Sequence, residues 1–265
     1  MGFYLIFKKD MARWPKGSPK GGEFKSLNGG GSNSTMPSSI DHWTRIPNTQ
    51  GGSNLGFQAH DDKGGKHYIK FPSTDDHVYN EILASKLYKA AGIRVPELTP
   101  VTYKGRLAVD SKWTSGLENK GKYIKHVEGA KEGFAVDAWL GNWDTAGLGH
   151  DNLLQHPDGK AFRVDAGGSL KYRAQGDAKG DKFGPTVPEI DRMRDPMKSR
   201  NAAQVFGSMS DADVAKSVKK VADISEETID KLVNEHYTVG SKERKQMAET
   251  LKARRKYLID RFLKP

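Results

Sequence analysis

Gly141-Asn142-Trp143-Asp144, His150-Asp151-Asn152 and Val164-Asp165-Ala166-Gly167-Gly168 decide how this chain reads. Within 25 residues they set out an Asp, an Asn and a second Asp, and the chain contains no Cys to offer a thiolate site instead. A carboxylate that takes a hydroxyl proton, then an amide and a carboxylate that hold Mg²⁺, is the minimum apparatus for moving a γ-phosphoryl group. Asp144 opens a polar loop after a helix-like run, a place from which a base reaches an acceptor hydroxyl. Asn152 follows eight residues on and Asp165 twenty-one, and their oxygens are the hard ligands that Mg²⁺ prefers. Each residue has a plainer reading alone, Asp144 as an Asx-turn or N-cap and Asp165 as a turn residue. The ordered set favours chemistry.

Upstream, Lys70 ends the strand-like His67-Tyr68-Ile69-Lys70-Phe71, and Glu81 lies eleven residues on in a helix-like run. A lysine projecting from a strand neutralises nucleotide phosphates, and a helix carboxylate holds it in place. Before it, Gly51-Gly52-Ser53-Asn54-Leu55-Gly56 lets backbone N–H groups approach phosphate oxygens, which makes Gly52, Ser53 and Asn54 candidate nucleotide contacts. That stretch is neither a Walker A loop nor G-x-G-x-x-G, and it reads equally as a plain turn. His150-Asp151 offers a zinc alternative, but no second His stands at metal spacing. No G-x-S-x-G is present for serine-type hydrolysis.

The surrounding pattern is strand-rich first and helical afterwards. Asn54 to His60 and Lys66 to Phe71 flank a 61–65 turn and predict a hairpin. Residues 78–91 predict an amphipathic helix closed by Gly92. Val95 to Leu98, Val101 to Tyr103 and Leu107 to Val109 read as further strands, with Lys104-Gly105 as a turn. Glu132 to Trp143 predicts a helix leading straight into Asp144, and Leu153-Leu154 and Phe162 to Val164 predict a short hairpin around Pro157-Asp158-Gly159. Three C-terminal helices follow, the first opening on capping-box spacing at Ser210 to Asp213. The last, 241–263, is basic, with Met247, Leu251, Tyr257, Leu258 and Phe262 as its expected buried side.

Apolar residues make up 35% of the chain, partly because its first section is polar and rich in the 29 glycines. Residues 1–40 read as a flexible Gly/Ser-rich segment, 41–115 as a small β-rich lobe and 116–265 as a mainly helical lobe. Residues 1–8 also read as an edge strand. Arg13 to Pro19 resembles short tags of phage structural and accessory proteins. Ser18, Ser26, Ser32, Ser34, Thr35, Ser38 and Ser39 give the first segment hydroxyls for autophosphorylation. The absence of Cys fits a reducing compartment, and the apolar run Phe3 to Phe7 is too short for a secretory signal. No stretch approaches a membrane span, so the expectation is a cytoplasmic protein, acting in a bacterial host if phage-encoded. The net charge of +10 fits a solvated lysine-rich surface, acidic protein partners or an ATP site. Nucleic-acid binding has no motif to support it.

The quoted residues resemble a family. His67 to Pro72, Asn80-Glu81, Leu87 to Ile93 and Val95-Pro96-Glu97 are similar to the N-lobe of HipA-type kinases. Gly141 to Asp144, Asn152 and Asp165 are similar to the catalytic loop and metal Asp of HipA-type, actin-fragmin and phosphatidylinositol kinases. The resemblance spans roughly residues 50–170 and implies an α+β, bilobal protein-kinase-like fold. It implies that Lys70 binds ATP phosphates with Glu81 as partner, that Asp144 is the catalytic Asp, and that Asn152 and Asp165 hold Mg²⁺. Family members act on Ser/Thr of proteins or on lipid and inositol hydroxyls, so a protein acceptor, a small-molecule acceptor and a degenerate binding module all stay open. Such kinases place the Asn roughly five residues after the Asp, and the gap of eight here suggests that residues such as 145–147 loop out.

Overall fold

A computed structural model describes residues 36–49 and 55–264. The expected edge strand at 1–8, the tag-like segment, residues 9–35 of the expected tail and the candidate contacts Gly52, Ser53 and Asn54 all lie outside the described residues.

Six strands form one sheet: β1 (Ser38–Ser39), β2 (Thr44–Arg45), β3 (Leu55–His60), β4 (Lys66–Phe71), β5 (Leu98–Tyr103) and β6 (Arg106–Lys112), in the order β1-β5-β6-β4-β3-β2. Two tight turns fix the register. Lys104 and Gly105 both take positive φ, 50° and 72°, which suits a two-residue hairpin and pairs Tyr103 with Arg106. Asp61 accepts the N–H groups of Lys63 and Gly65 and closes the β3–β4 turn. Because side chains alternate across a strand, Ile69 and Lys70 point to opposite faces. Ile69 joins Phe57, Ala59, Val101, Ala108 and Ile40 on one face. Lys70, paired in register with Val109, lies on the face covered by α1 (Asp75–Ala90), where Val78 and Ile82 pack on Leu98 and Val109. The sheet begins inside the segment read as tail, since Ser38–Ser39 pairs with β5 and Ile40 is buried.

Helix α1 starts three residues before its expected position, capped by the Thr74 hydroxyl, and its far side (Leu83, Leu87, Tyr88) enters the core of the second lobe. Val95 to Glu97 is not a strand, and pairing starts at Leu98. In the second lobe, α2 spans only Phe134–Trp139. The expected helix up to Trp143 is cut because Gly141 takes φ +63°, and the N–H groups of Gly141 and Asn142 turn back to the Ala138 and Asp137 carbonyls. The hairpin β7 (Leu153–Gln155) and β8 (Ala161–Arg163) follows, then α3 (Glu189–Arg192), α4 (Arg200–Phe206), α5 (Asp211–Ala222), α6 (Glu226–His236) and α7 (Ser241–Phe262). Ser210 and Asp213 form the expected capping box. On α7, Met247, Leu251 and Leu258 are buried as expected, whereas Tyr257 and Phe262 are only partly covered. No described helix is long and apolar enough to cross a membrane.

Two buried ion pairs clamp this lobe around α2. Arg163 donates two bonds to Asp137 and one to the Ala130 carbonyl, and the Tyr88 hydroxyl completes Asp137. Arg254 pairs with Glu189 and caps the end of α2 by donating to the Ala138 and Trp139 carbonyls. Breaking either pair would strand a charge in a dry interior, so both specify the packing beneath the site.

Candidate active site

The site lies where β4, α1, the loop after α2 and the β7–β8 hairpin meet. Lys70 Nζ donates to Glu81 Oε1 and to Asp165 Oδ1, each at 3.0 Å. Burial works against the Lys70 ammonium, yet the charges of Asp165 and Glu81 overcome it and hold its pKa above the ordinary lysine value. Burial raises Glu81, partly offset by Lys70. Burial also opposes the Asp165 carboxylate, but Lys70 and the Gly167 N–H, which donates to Oδ1 at 2.8 Å, bring it below the usual range.

The β7–β8 hairpin explains how Asn152 and Asp165 come together. Leu153 faces Arg163 in register, so the residues just outside the pair, Asn152 and Val164, are bonded through their backbones at 3.0 Å. Asp165 follows directly. Asn152 Nδ2 donates to the Asp144 carbonyl at 2.8 Å and to Asp144 Oδ2 at 3.2 Å. The eight-residue gap is therefore absorbed. The chain turns at Gly147, φ +72°, whose N–H returns to the Asp144 carbonyl, and Asn152 still reaches Asp144. Asn201 of α4 braces this bulge by donating to the Gly147 and Leu148 carbonyls, and His150 Nε2 bonds Gln204. His150 is thus engaged away from Asp151, and the described residues contain no cluster of three His, Cys, Asp or Glu that would hold a metal.

Magnesium makes a different demand, a few hard oxygens with the balance from phosphates and water. Asp165 Oδ2 and Asn152 Oδ1 make no hydrogen bond to the described residues, and the Asp165 side chain is 40% exposed. This donor set fits Mg²⁺. Burial and then the Asp165 charge raise the pKa of Asp144, which makes it a better proton acceptor than an exposed Asp.

The glycines after Asp165 are needed for close approach. A Cβ on Gly167 would stand 2.8 Å from Lys70 Nζ and 3.0 Å from Asp165 Oδ1, and one on Gly168 would stand 3.2 Å from Asn142 Oδ1. Helix α1 holds the same turn, with Asn80 donating to the Ser169 carbonyl and His77 Nε2 bonding the Gly167 carbonyl.

Several residues of the site escaped the sequence reading. Asn142 accepts the Asp144 N–H and donates to the Tyr88 hydroxyl, so it sets the direction in which the loop leaves α2. Its place in Gly141-Asn142-Trp143-Asp144 was the one available signal. Lys179 had none. Its buried Nζ donates to the carbonyls of Gly141, Gly168 and Leu170 at 2.6, 2.7 and 2.9 Å, tying the Asp144 loop to the glycine turn. Burial lowers its pKa to about 7. Trp143 is fixed by its Nε1 bond to Glu189 Oε1.

No family model matches the chain, and no curated protein does. Among solved structures, the Helicobacter pylori proinflammatory kinase CtkA superposes with a TM-score of 0.60 at 11% identity, covering 86% of this chain and 99% of that one. The HipA component of a Shewanella oneidensis toxin–antitoxin complex gives 0.49 at 10%, covering 83% of this chain and 66% of that one. An aminoglycoside phosphotransferase from Alicyclobacillus acidocaldarius gives 0.39 at 10%, covering 87% and 97%. The chain has the α+β, bilobal, kinase-like fold of CtkA.

Proposed function

We propose that this protein is an ATP- and Mg²⁺-dependent kinase that transfers the γ-phosphoryl group to a Ser or Thr hydroxyl of a protein. The observation that carries the reading is the Lys70–Glu81–Asp165 triad, placed beside a half-buried Asp144 that Asn152 holds. Lys70, kept charged and aimed by two carboxylates, neutralises nucleotide phosphates. Asn152 and Asp165 would hold the metal, which would neutralise charge on the phosphates. Asp144 orients the acceptor hydroxyl and takes its proton as the acceptor oxygen bonds the γ-phosphorus and the bond to the β–γ bridging oxygen breaks.

A protein acceptor is favoured over a small alcohol because the site is open beside Asp144. A cavity of about 270 Å³ runs from Asp144 to α4, and Leu148 at its lip is 88% exposed. A site for a small acceptor would instead close over it and exclude water. The absence of Cys fits action in the cytoplasm.

The test is incubation with labelled ATP-Mg²⁺ and a bacterial lysate, alongside Asp144→Ala and Asp165→Ala. Label on protein that both variants lose supports the reading. Label that neither variant loses overturns the site, label confined to small molecules favours the other acceptor class, and ATP binding without transfer favours a binding module. Mass spectrometry of the same protein reports whether its own residues 1–40 receive phosphate.

A further inference from the structure

We infer that the lengthened loop 145–151 and α4 form an acceptor-recognition cleft selective for a polypeptide segment carrying Asp or Glu beside the phosphorylated Ser or Thr. This rests on the kinase reading above and adds the class of acceptor.

The cleft is built by the feature that departs from the usual kinase spacing. Trp143, Asp144 and Leu148 line one side, and Ser199, Arg200 and Ala202 the other. Its walls are fixed relative to each other by the Asn201 and Gln204 bonds to the loop. It opens directly onto the carboxylate that would receive the acceptor proton, so a chain lying in it presents a hydroxyl to Asp144.

The cleft's own carboxylate is Asp144, with Asp151 close by, and arginines border it. Arg94, Arg163, Arg194, Arg254 and Arg261 each pair with a carboxylate. Seven described arginines pair with none: Arg45, Arg106, Arg244 and Arg255 engage an aromatic face or backbone carbonyls elsewhere, whereas Arg200 lines the cleft and Arg173 and Arg192 flank Trp143 on its wall. The Arg173 and Arg192 guanidinium carbons lie 5.6 Å from the Trp143 ring centroid, and exposed Arg200 lines the cavity. Arg173 Nε is buried and has no hydrogen-bond partner. One guanidinium in the cleft and two more beside its Trp143 wall, all without carboxylate partners, complement carboxylates that flank the acceptor hydroxyl. The chain's own first segment is the wrong sign for this cleft. Lys8, Lys9, Arg13, Lys16, Lys20 and Lys25 outnumber Asp10 and Glu23 there.

The experiment uses the full chain with three Ser-containing peptides of equal length, flanked by Glu, by Ala or by Lys. Anisotropy reads binding of the labelled peptides without nucleotide, and labelled ATP-Mg²⁺ reads transfer. The Glu peptide is expected to bind and react roughly tenfold better than the Ala peptide, with the Lys peptide weakest. Arg192→Glu and Arg200→Glu alter exposed side chains, and each is expected to erase or invert that order while ATP binding stays unchanged. Transfer with no preference for Glu overturns this inference and leaves the kinase reading standing. Glu-selective binding that the arginine variants lose, without transfer to any peptide, supports the cleft and sinks the kinase reading. Neither binding nor transfer overturns both. Tighter binding of a phosphodiester oligomer of equal charge at the same arginines overturns the peptide assignment.

Discussion

The two sides of the site are built differently. On the nucleotide side, Lys70, Glu81 and Asp165 meet through ion pairs at 3.0 Å, positioned by a strand register and a helix face, and a glycine turn with no room for a side chain closes over them. On the proposed acceptor side, Asp144 stands on a bulged loop held by hydrogen bonds with Asn142, Asn152 and Asn201 and bordered by arginines. Under the proposed function, the first arrangement fixes charge for a ligand of constant shape. The second leaves an open surface, where the proposed reading puts the choice between acceptors. Lys179 bridges the two.

That contrast can be broken from either side. The largest effect is expected from Asp165→Ala, which removes a proposed metal oxygen and half of the Lys70 pairing. Transfer should fall on the order of 10³-fold, and nucleotide binding, measured by calorimetry with ATP-Mg²⁺, should fall with it. Asp144→Ala should cut transfer by roughly 10²–10³-fold yet leave nucleotide binding nearly intact, and equal loss of binding in both variants would erase the distinction.

Lys179→Met comes next, with an expected loss of about tenfold because three carbonyls lose their shared donor. Its pH profile is the sharper test. Only the ammonium has three N–H groups for the three carbonyls, so wild-type transfer should decline as pH rises through about 7, whereas Lys179→Met should lack that limb. Stability should move the other way. The unfolded chain holds this proton up to the ordinary value of 10.5, so between about 7 and 10.5 it binds more protons than the native state and this group adds stability as pH rises. The smallest effect is expected from Asn201→Ala, which frees the Gly147 and Leu148 carbonyls. It should raise the acceptor KM roughly threefold to tenfold without changing ATP affinity, and steady-state kinetics against each substrate would reveal it.

The nucleotide side was legible in the sequence because its parts are local. The β3–β4 hairpin, most of α1 and the β7–β8 hairpin follow from alternation, helical periodicity and turn residues, and these place Lys70 on a strand, Glu81 on a helix and Asn152 and Asp165 at the open end of a hairpin. The length of α2 was misread because Trp139 to Trp143 continues an apolar pattern, and the left-handed backbone at Gly141 ends the helix regardless. Helices α3 and α4, of four and seven residues, are too short for periodicity to register.

By itself the sequence determined the order of strand, helix and loop and singled out the residues proposed to move a phosphoryl group, because secondary structure and side-chain chemistry are carried by neighbours along the chain. Only the tertiary structure decided what the eight-residue gap does, since Asn201 of α4, 54 residues beyond Gly147, braces the bulge and turns an irregular spacing into a cleft. It also decided the contacts of Lys179 and the placing of Arg173, Arg192 and Arg200 around Trp143 and the cleft. The partners of Lys179 and the positions of those arginines arise from packing between distant segments, which leaves no mark on any local pattern.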